Sequence, residues 1–143
     1  MADLTVHIEK VISAPIEVVF DAWLTPKILS KFMMGMPNMP ETDVAEIDAR
    51  EGGGFTFIMD CDGEKLPHTG KYLEISRPDR LVFTWVSRHS VVENSTVTLH
   101  FTTIDEKKTN ISLTHIKFID EESRAGHENG WTCILDKLSE VIG

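Results

Sequence analysis

The chain has 143 residues, 41% hydrophobic and 26% charged, which is typical of a globular protein with room for one core. Its formal net charge is -9, and it holds no basic run longer than Lys107-Lys108, so we expect neither nucleic acid nor anionic membrane as a partner. No apolar run is long enough for membrane insertion, and the N-terminus lacks a signal-peptide pattern. Cys61 and Cys133 lie far apart, so we expect free thiols and a cytoplasmic location.

The N-terminal segment predicts one strand followed by two short helices. Residues Leu4–Ile12 predict the strand, with a bulge or its end at the last two residues, where the alternation of apolar side chains breaks. Pro15 and Pro26 each predict the start of a helix, because proline suits the first helical position. The second helix is expected to end at about Phe32.

The next segment, Met33–Pro40, contains four methionines together with glycine and proline, which exclude a regular helix. Methionine adapts to irregular gaps, so these side chains either fill the core or form an adaptable wall at the mouth of a binding pocket. The concentration of methionine in a loop favours the pocket wall, and such a loop is expected to be more mobile than the sheet.

From Asp43 onward the pattern is that of an antiparallel sheet. Six strands are predicted, around Asp43–Arg50, Phe55–Asp60, Gly70–Ile75, Leu81–Val86, Thr96–Thr102 and Ile111–His115. Their alternation assigns one set of side chains to the inner face: Phe55, Phe57, Met59, Leu81, Phe83, Trp85, Val97, Leu99, Phe101, Ile111 and Leu113. Short turns between neighbouring strands predict a meander.

The last segment, Asp120–Ile142, predicts one long amphipathic helix. Its apolar face carries His127, Trp131, Ile134, Leu135, Leu138, Val141 and Ile142 at spacings of three and four residues. A lone amphipathic helix must bury this face against another element. We therefore expect the sheet to wrap around the helix, within a single domain spanning residues 1–143.

Four stretches resemble landmarks of a known superfamily. They are Ala14–Trp23, Asp48–Gly53, Gly70–Ile75 with Arg80–Trp85, and Gly130-Trp131 followed by Leu135 and Leu138. Together they resemble the START-like (SRPBCC) helix-grip superfamily, and most closely its branch named for the activator of the heat shock protein 90 ATPase. The resemblance implies an α+β helix-grip fold, with a curved antiparallel β-sheet around a long C-terminal α-helix and two short helices after the first strand.

The resemblance also implies a cavity between sheet and helix that binds diverse apolar small molecules. This chain has Lys31-Phe32-Met33-Met34 where the family often has tryptophan, so the ligand of other members does not carry over. The protein that gives the branch its name has an additional N-terminal domain for its chaperone. We expect none here, so activation of a chaperone ATPase is not expected, although a chaperone-type protein interaction stays an alternative.

Two histidines are the candidates for chemistry. His115 and His127 are both predicted to point inward, where they could act as acid and base near neutral pH or serve as buried structural groups. The sequence shows no third group that would orient either ring. A metal site would need a third ligand, and His68 and Glu46 have suitable side chains, but no metal-binding spacing in the sequence links them to the two histidines. We therefore expect neither metal nor cofactor.

These observations predict a binding module for an apolar or aromatic small molecule, with lipid-like ligands included. The alternatives are a cyclase- or hydratase-like enzyme in the same pocket, or a protein-interaction module, which an exposed apolar patch would favour. The predicted ligand-binding residues are Trp23, Phe32, Met34, Phe57, Met59, Phe83, Trp85, Leu99, Phe101, His115, His127 and Trp131.

Overall fold

The computed structural model describes residues 5–33, 40–61, 63–86, 95–116 and 120–142. The elements, in chain order, are β1 (Thr5–Ile12), α1 (Ile16–Ala22), α2 (Pro26–Phe32), β2 (Asp43–Ile47), β3 (Gly54–Cys61), β4 (Glu64–Ser76), β5 (Arg80–Thr84), β6 (Thr96–Asp105), β7 (Lys108–Ile116) and α3 (Glu121–Ile142). The predicted helix-grip architecture, α+β with two short helices after the first strand, is confirmed.

The seven strands form one sheet in the order β1-β7-β6-β5-β4-β3-β2. Neighbours pair antiparallel throughout, so β2 to β7 form the predicted meander and β1 adds to its far edge. All the side chains assigned to the inner face between Phe55 and Leu113 are buried. Alternation therefore predicted correctly which face of the sheet is covered.

Helix α3 docks on this inner face through the predicted apolar side. Trp131 is 1% exposed, and Ile134, Leu135 and Leu138 beside it are buried. The Asp120 carboxylate caps the start of α3 by accepting a hydrogen bond from the Ser123 N–H at 2.8 Å. Charged residues cover the opposite side of α3, and none of the described helices is both long and apolar enough to cross a membrane.

Strand β1 pairs regularly with β7 through Ile12, so the predicted end of the strand at that residue is confirmed and there is no bulge. Several other strand boundaries differ from the prediction. Strand β5 ends at Thr84 rather than Val86, β6 continues to Asp105, and β7 begins at Lys108. Strand β2 ends at Ile47 rather than Arg50. Strand β4 begins at Glu64 and has 13 residues, because its first half pairs with β3 in register despite containing Pro67, which normally argues against a strand.

Candidate functional site

A small cavity lies between the two short helices and the sheet. Its lining residues are Trp23, Leu29, Met33, Phe55, Phe57, Tyr72 and Phe83. The space available to the centre of a water molecule is about 10 Å³, which is room for about one water molecule. None of the lining residues belongs to α3, although the sequence predicted a cavity between the sheet and that helix.

Large aromatic side chains pack beneath α3. The rings of Trp85 and Trp131 meet with their centroids 4.8 Å apart, and both side chains are nearly fully buried. The alternation of side chains along a strand shows which residues point inward, but it does not show how much of the interior two facing tryptophans occupy. The described cavity lies to one side of this contact, next to Trp23 and α2.

The helical wall of the cavity is formed by the end of α1 and by α2. Trp23 follows α1 as its C-cap, and its indole contacts the Phe32 ring edge-to-face with centroids 5.0 Å apart. Leu29 and Phe32 are one helical turn apart, so both face the core. Met33 follows α2 and is 1% exposed.

Thr42 holds the backbone of Met33 by a hydrogen bond, while the Met33 side chain takes no part in that bond. The Thr42 hydroxyl donates a short hydrogen bond to the Met33 carbonyl, and the Thr42 N–H donates to the Ser30 carbonyl at 2.9 Å. Thr42 itself is only 2% exposed. The two bonds join the end of α2 to the start of β2, on either side of residues 34–39.

The sheet wall of the cavity is aromatic. Phe55 and Phe57 stack with ring centroids 4.5 Å apart, and Phe55 also contacts Tyr72 on the neighbouring strand β4 and Phe83 on β5, the next strand beyond it. Gly70 makes this possible, since a Cβ there would lie 2.5 Å from the Phe55 ring and 1.9 Å from the Thr84 carbonyl oxygen. Any larger residue at position 70 would clash with both the Thr84 backbone and the Phe55 ring.

Two of the lining residues carry an N–H or O–H group on the side chain. The indole N–H of Trp23 is buried and has no hydrogen-bond acceptor among the described residues. The Tyr72 hydroxyl is the other, and burial raises the pKa of that phenol well above its ordinary value of 10, so it stays protonated. No charged residue lines the described cavity.

His115 lies outside the cavity, in a buried hydrogen-bonded cluster beneath α3. The Trp131 indole N–H donates to His115 Nδ1 at 3.0 Å, and His115 Nε2 lies 2.6 Å from the Ser95 hydroxyl oxygen. An indole N–H can only donate, so Nδ1 is unprotonated and Nε2 carries the proton, which it donates to Ser95. The expectation that no third group orients His115 is therefore wrong.

This tautomer limits the chemistry of His115. Burial, together with the nearby His127 ring, lowers the pKa of His115 to about 3, so the imidazole is neutral at physiological pH. Because its Nε2 already carries a proton, it cannot remove one from the Ser95 hydroxyl. The geometry indicates a structural link between α3 and the sheet rather than a nucleophile and its base.

His127 lies next to His115 on α3, half-buried. The two rings meet edge-to-face with centroids 5.2 Å apart. His127 Nδ1 lies 2.8 Å from the Ser123 carbonyl, which can only accept, so Nδ1 carries a proton and donates it. The structure thus brings the two predicted histidines together, but away from the cavity.

The other predicted ligand-binding residues divide into three groups. Trp23, Phe57 and Phe83 line the cavity. A second group is buried in the core but does not line the cavity: Phe32, Met59, Trp85, Leu99, Phe101 and Trp131. Met34 lies outside the described residues, as does most of the methionine-rich segment, whose predicted mobility therefore concerns residues that the structure does not describe.

Four lining residues were absent from the predicted set: Leu29, Met33, Phe55 and Tyr72. Two signals in the sequence point to Leu29 and Phe55. The three-residue spacing of Leu29 and Phe32 places both on one side of α2, and Phe55 and Phe57 alternate onto the inner face. Tyr72 carries a weaker signal, because a register shift after it breaks the alternation of β4.

Metal-binding residue types do not gather in the described parts of the chain. No group of three or more His, Cys, Asp or Glu side chains there is arranged to hold an ion. His68 instead packs against Trp85 with the rings tilted and their centroids 5.2 Å apart, and its Nδ1 lies 3.0 Å from the Leu66 carbonyl oxygen.

The fold and the aromatic cavity define a helix-grip domain, an architecture that commonly binds hydrophobic ligands. The family described as "Activator of Hsp90 ATPase homolog 1-like protein" matches residues 13–143. The chain therefore belongs to this family, and the resemblance noted from the sequence is confirmed. Curated protein sequences give no significant match.

Solved structures support the same fold. Protein CV1439 from Chromobacterium violaceum is 24% identical, with 96% of each chain covered and a TM-score of 0.83. The AHSA1-like protein from Aeromonas hydrophila is 22% identical, with 96% of this chain and 90% of that chain covered and a TM-score of 0.79. CalU16 from Micromonospora echinospora is 24% identical, with 97% and 76% covered and a TM-score of 0.72.

Proposed function

We propose that this protein binds a neutral, apolar small molecule in the cavity between α1, α2 and strands β3 to β5, within a single domain in the cytoplasm. The observation that carries the proposal is the lining: seven large apolar or aromatic side chains surround a space that they do not fill completely. Binding sites for small molecules are mostly apolar, with a few placed polar groups. The lining has this composition.

Ligand entry requires part of the wall to move. A cavity of about 10 Å³ is far below the several hundred cubic ångströms of a typical ligand pocket. Met33 is the wall residue best suited to move, because its unbranched side chain has three rotatable bonds and it stands at the end of a seven-residue helix. The bound form is thus a more open conformation that the ligand stabilises.

Exposed apolar residues give less support to a protein-docking role. Among the described residues the large ones are Val11, Val18, Leu73, Val86, Ile104 and Ile116. Each is only 37–52% exposed, and they are distributed over several elements of the fold. Isolated exposed apolar side chains are normal on protein surfaces, whereas a docking site requires a contiguous patch.

Titration with N-phenyl-1-naphthylamine, a neutral dye that fluoresces in apolar surroundings, tests the proposal. The wild type is compared with Leu29→Phe, which fills the cavity, and with Leu135→Phe, the same change at an equally buried site on α3. Reopening an overfilled site costs about 1–3 kcal/mol, so Leu29→Phe should weaken binding by roughly fivefold to 150-fold. Leu135→Phe should bind as the wild type does.

Both variants are first checked by circular dichroism for wild-type secondary structure. If the two substitutions weaken the dye equally, or neither weakens it, the dye binds elsewhere and the proposed site is wrong. If the wild type does not bind the dye at all, the proposed function fails.

A further inference from the structure

The Trp23 side chain has a buried hydrogen-bond donor without a partner. It is 2% exposed, and its Nε1 has no acceptor within the described part of the chain. Buried indole N–H groups usually find a partner, because an unpaired buried donor loses its hydrogen bond to water and gains nothing in return. Trp131 shows the usual arrangement, with its indole N–H donating to His115 at 3.0 Å.

Trp23 belongs to the cavity wall. A ligand that widens the cavity can therefore bring an acceptor to the edge of its indole ring. An indole N–H can donate but never accept, so only a group with a lone pair can satisfy it. The neighbouring Phe32 ring, which contacts the indole edge-to-face, offers no such group.

The rest of the lining restricts which acceptor fits. No lining residue carries a charge, and burying an ionised ligand without a partner is costly. The Tyr72 hydroxyl is also a potential donor, since burial keeps it protonated. A buried indole donor in an uncharged aromatic lining matches a neutral acceptor such as a carbonyl oxygen, whereas a carboxylate, a phosphate or an ammonium group would be buried there without a counter-charge.

We propose that the cavity selects apolar ligands that carry a neutral carbonyl group, and that the Trp23 indole N–H is the donor that recognises the carbonyl oxygen. This inference rests on the proposed function, because it names the chemical class of the ligand for the same site. It makes Trp23 a specificity-determining residue, while the remaining lining residues supply apolar contact.

Two probes of nearly the same shape test the inference. Acetophenone carries a carbonyl where α-methylstyrene carries a methylene group, so the two differ in one hydrogen-bond acceptor. Their dissociation constants are measured by NMR titration with the wild type, Trp23→Phe and Trp85→Phe. Trp85 is the control, because it is equally buried at 2% exposed but does not line the cavity.

The quantity to compare is the ratio of the two dissociation constants. The two probes differ in hydration, but this difference is the same for every variant and cancels when the ratios are compared. Trp23→Phe should weaken acetophenone roughly threefold to tenfold more than α-methylstyrene, which is the effect of one neutral hydrogen bond. Trp85→Phe should leave the ratio as it is in the wild type. If Trp23→Phe changes both probes by the same factor, the inference is wrong while the proposed function stands.

If neither probe binds the wild type, the proposed function fails and the inference fails with it. If Trp23→Phe does not fold, the wild type still decides the question through the indole N–H resonance of Trp23. That resonance should shift downfield with acetophenone and not with α-methylstyrene. An identical response to both probes would overturn the inference.

Discussion

Replacing His115 by glutamine should make the protein less sensitive to acid. In the folded state burial lowers the pKa of His115 to about 3, whereas in the unfolded chain it returns to its ordinary value of 6.5. Between these values the unfolded state binds one more proton than the folded state. Stability is therefore fully present above pH 6.5 and is lost as the pH falls toward 3.

The size of the effect follows from the two pKa values. The His115 contribution should fall by about 2 kcal/mol between pH 7 and pH 5, with a slope approaching 1.4 kcal/mol per pH unit. Glutamine does not titrate, but its amide can still accept from the Trp131 indole and donate to Ser95. His115→Gln should thus remove most of this loss while keeping the cluster connected.

Urea denaturation at pH 7, 6 and 5, followed by tryptophan fluorescence, measures the free energy of unfolding for each protein. His100→Gln is the control, because His100 is exposed on the outer face of β6. The wild type and the control should lose about 2 kcal/mol more than His115→Gln between pH 7 and pH 5. Equal losses in all three proteins would refute the assignment of a neutral buried His115.

Three further predictions concern stability. Trp131→Ala should lower the free energy of unfolding by about 3–5 kcal/mol, because it empties the contact between α3 and the sheet; a loss below about 1 kcal/mol in urea would contradict that docking. Thr42→Val should cost about 1–3 kcal/mol and speed amide hydrogen exchange at Met33, because the Met33 carbonyl loses its donor; unchanged exchange would show that this bond does not hold the wall. Lys10→Met should cost less than about 1 kcal/mol at low salt and nothing in 1 M salt, because its 2.9 Å ion pair with Asp136 is partly exposed; a larger loss that persists in salt would contradict a purely electrostatic contribution.

The fold could be predicted because its signals are long and agree with one another. The three-to-four spacing from His127 to Ile142 and the alternation from Phe55 to Leu113 each extend over many residues, so both faces were assigned correctly. The early part of β4 was missed because Pro67 and charged neighbours hide its alternation. There, pairing with β3 determines the structure more than local preference does.

The site was harder to predict because it depends on volume rather than on pattern. Alternation shows that Phe57 and Trp85 both point inward, but only the packed structure shows that Phe57 borders free space while Trp85 fills the space against Trp131. The unpaired indole of Trp23 is a similar case. Whether a buried donor has an acceptor depends on atoms distant in sequence, which no local motif encodes.

Native mass spectrometry of the freshly purified protein tests the central claim, apolar ligand binding in the cavity, most directly. The wild type and Leu29→Phe are each measured under native and denaturing conditions. We predict that native wild type exceeds the mass of the chain by that of one neutral small molecule, which denaturation releases, and that Leu29→Phe retains much less of it. If native wild type has only the mass of the chain even after incubation with an extract of apolar metabolites, or if both proteins retain the molecule equally, binding in this cavity is contradicted.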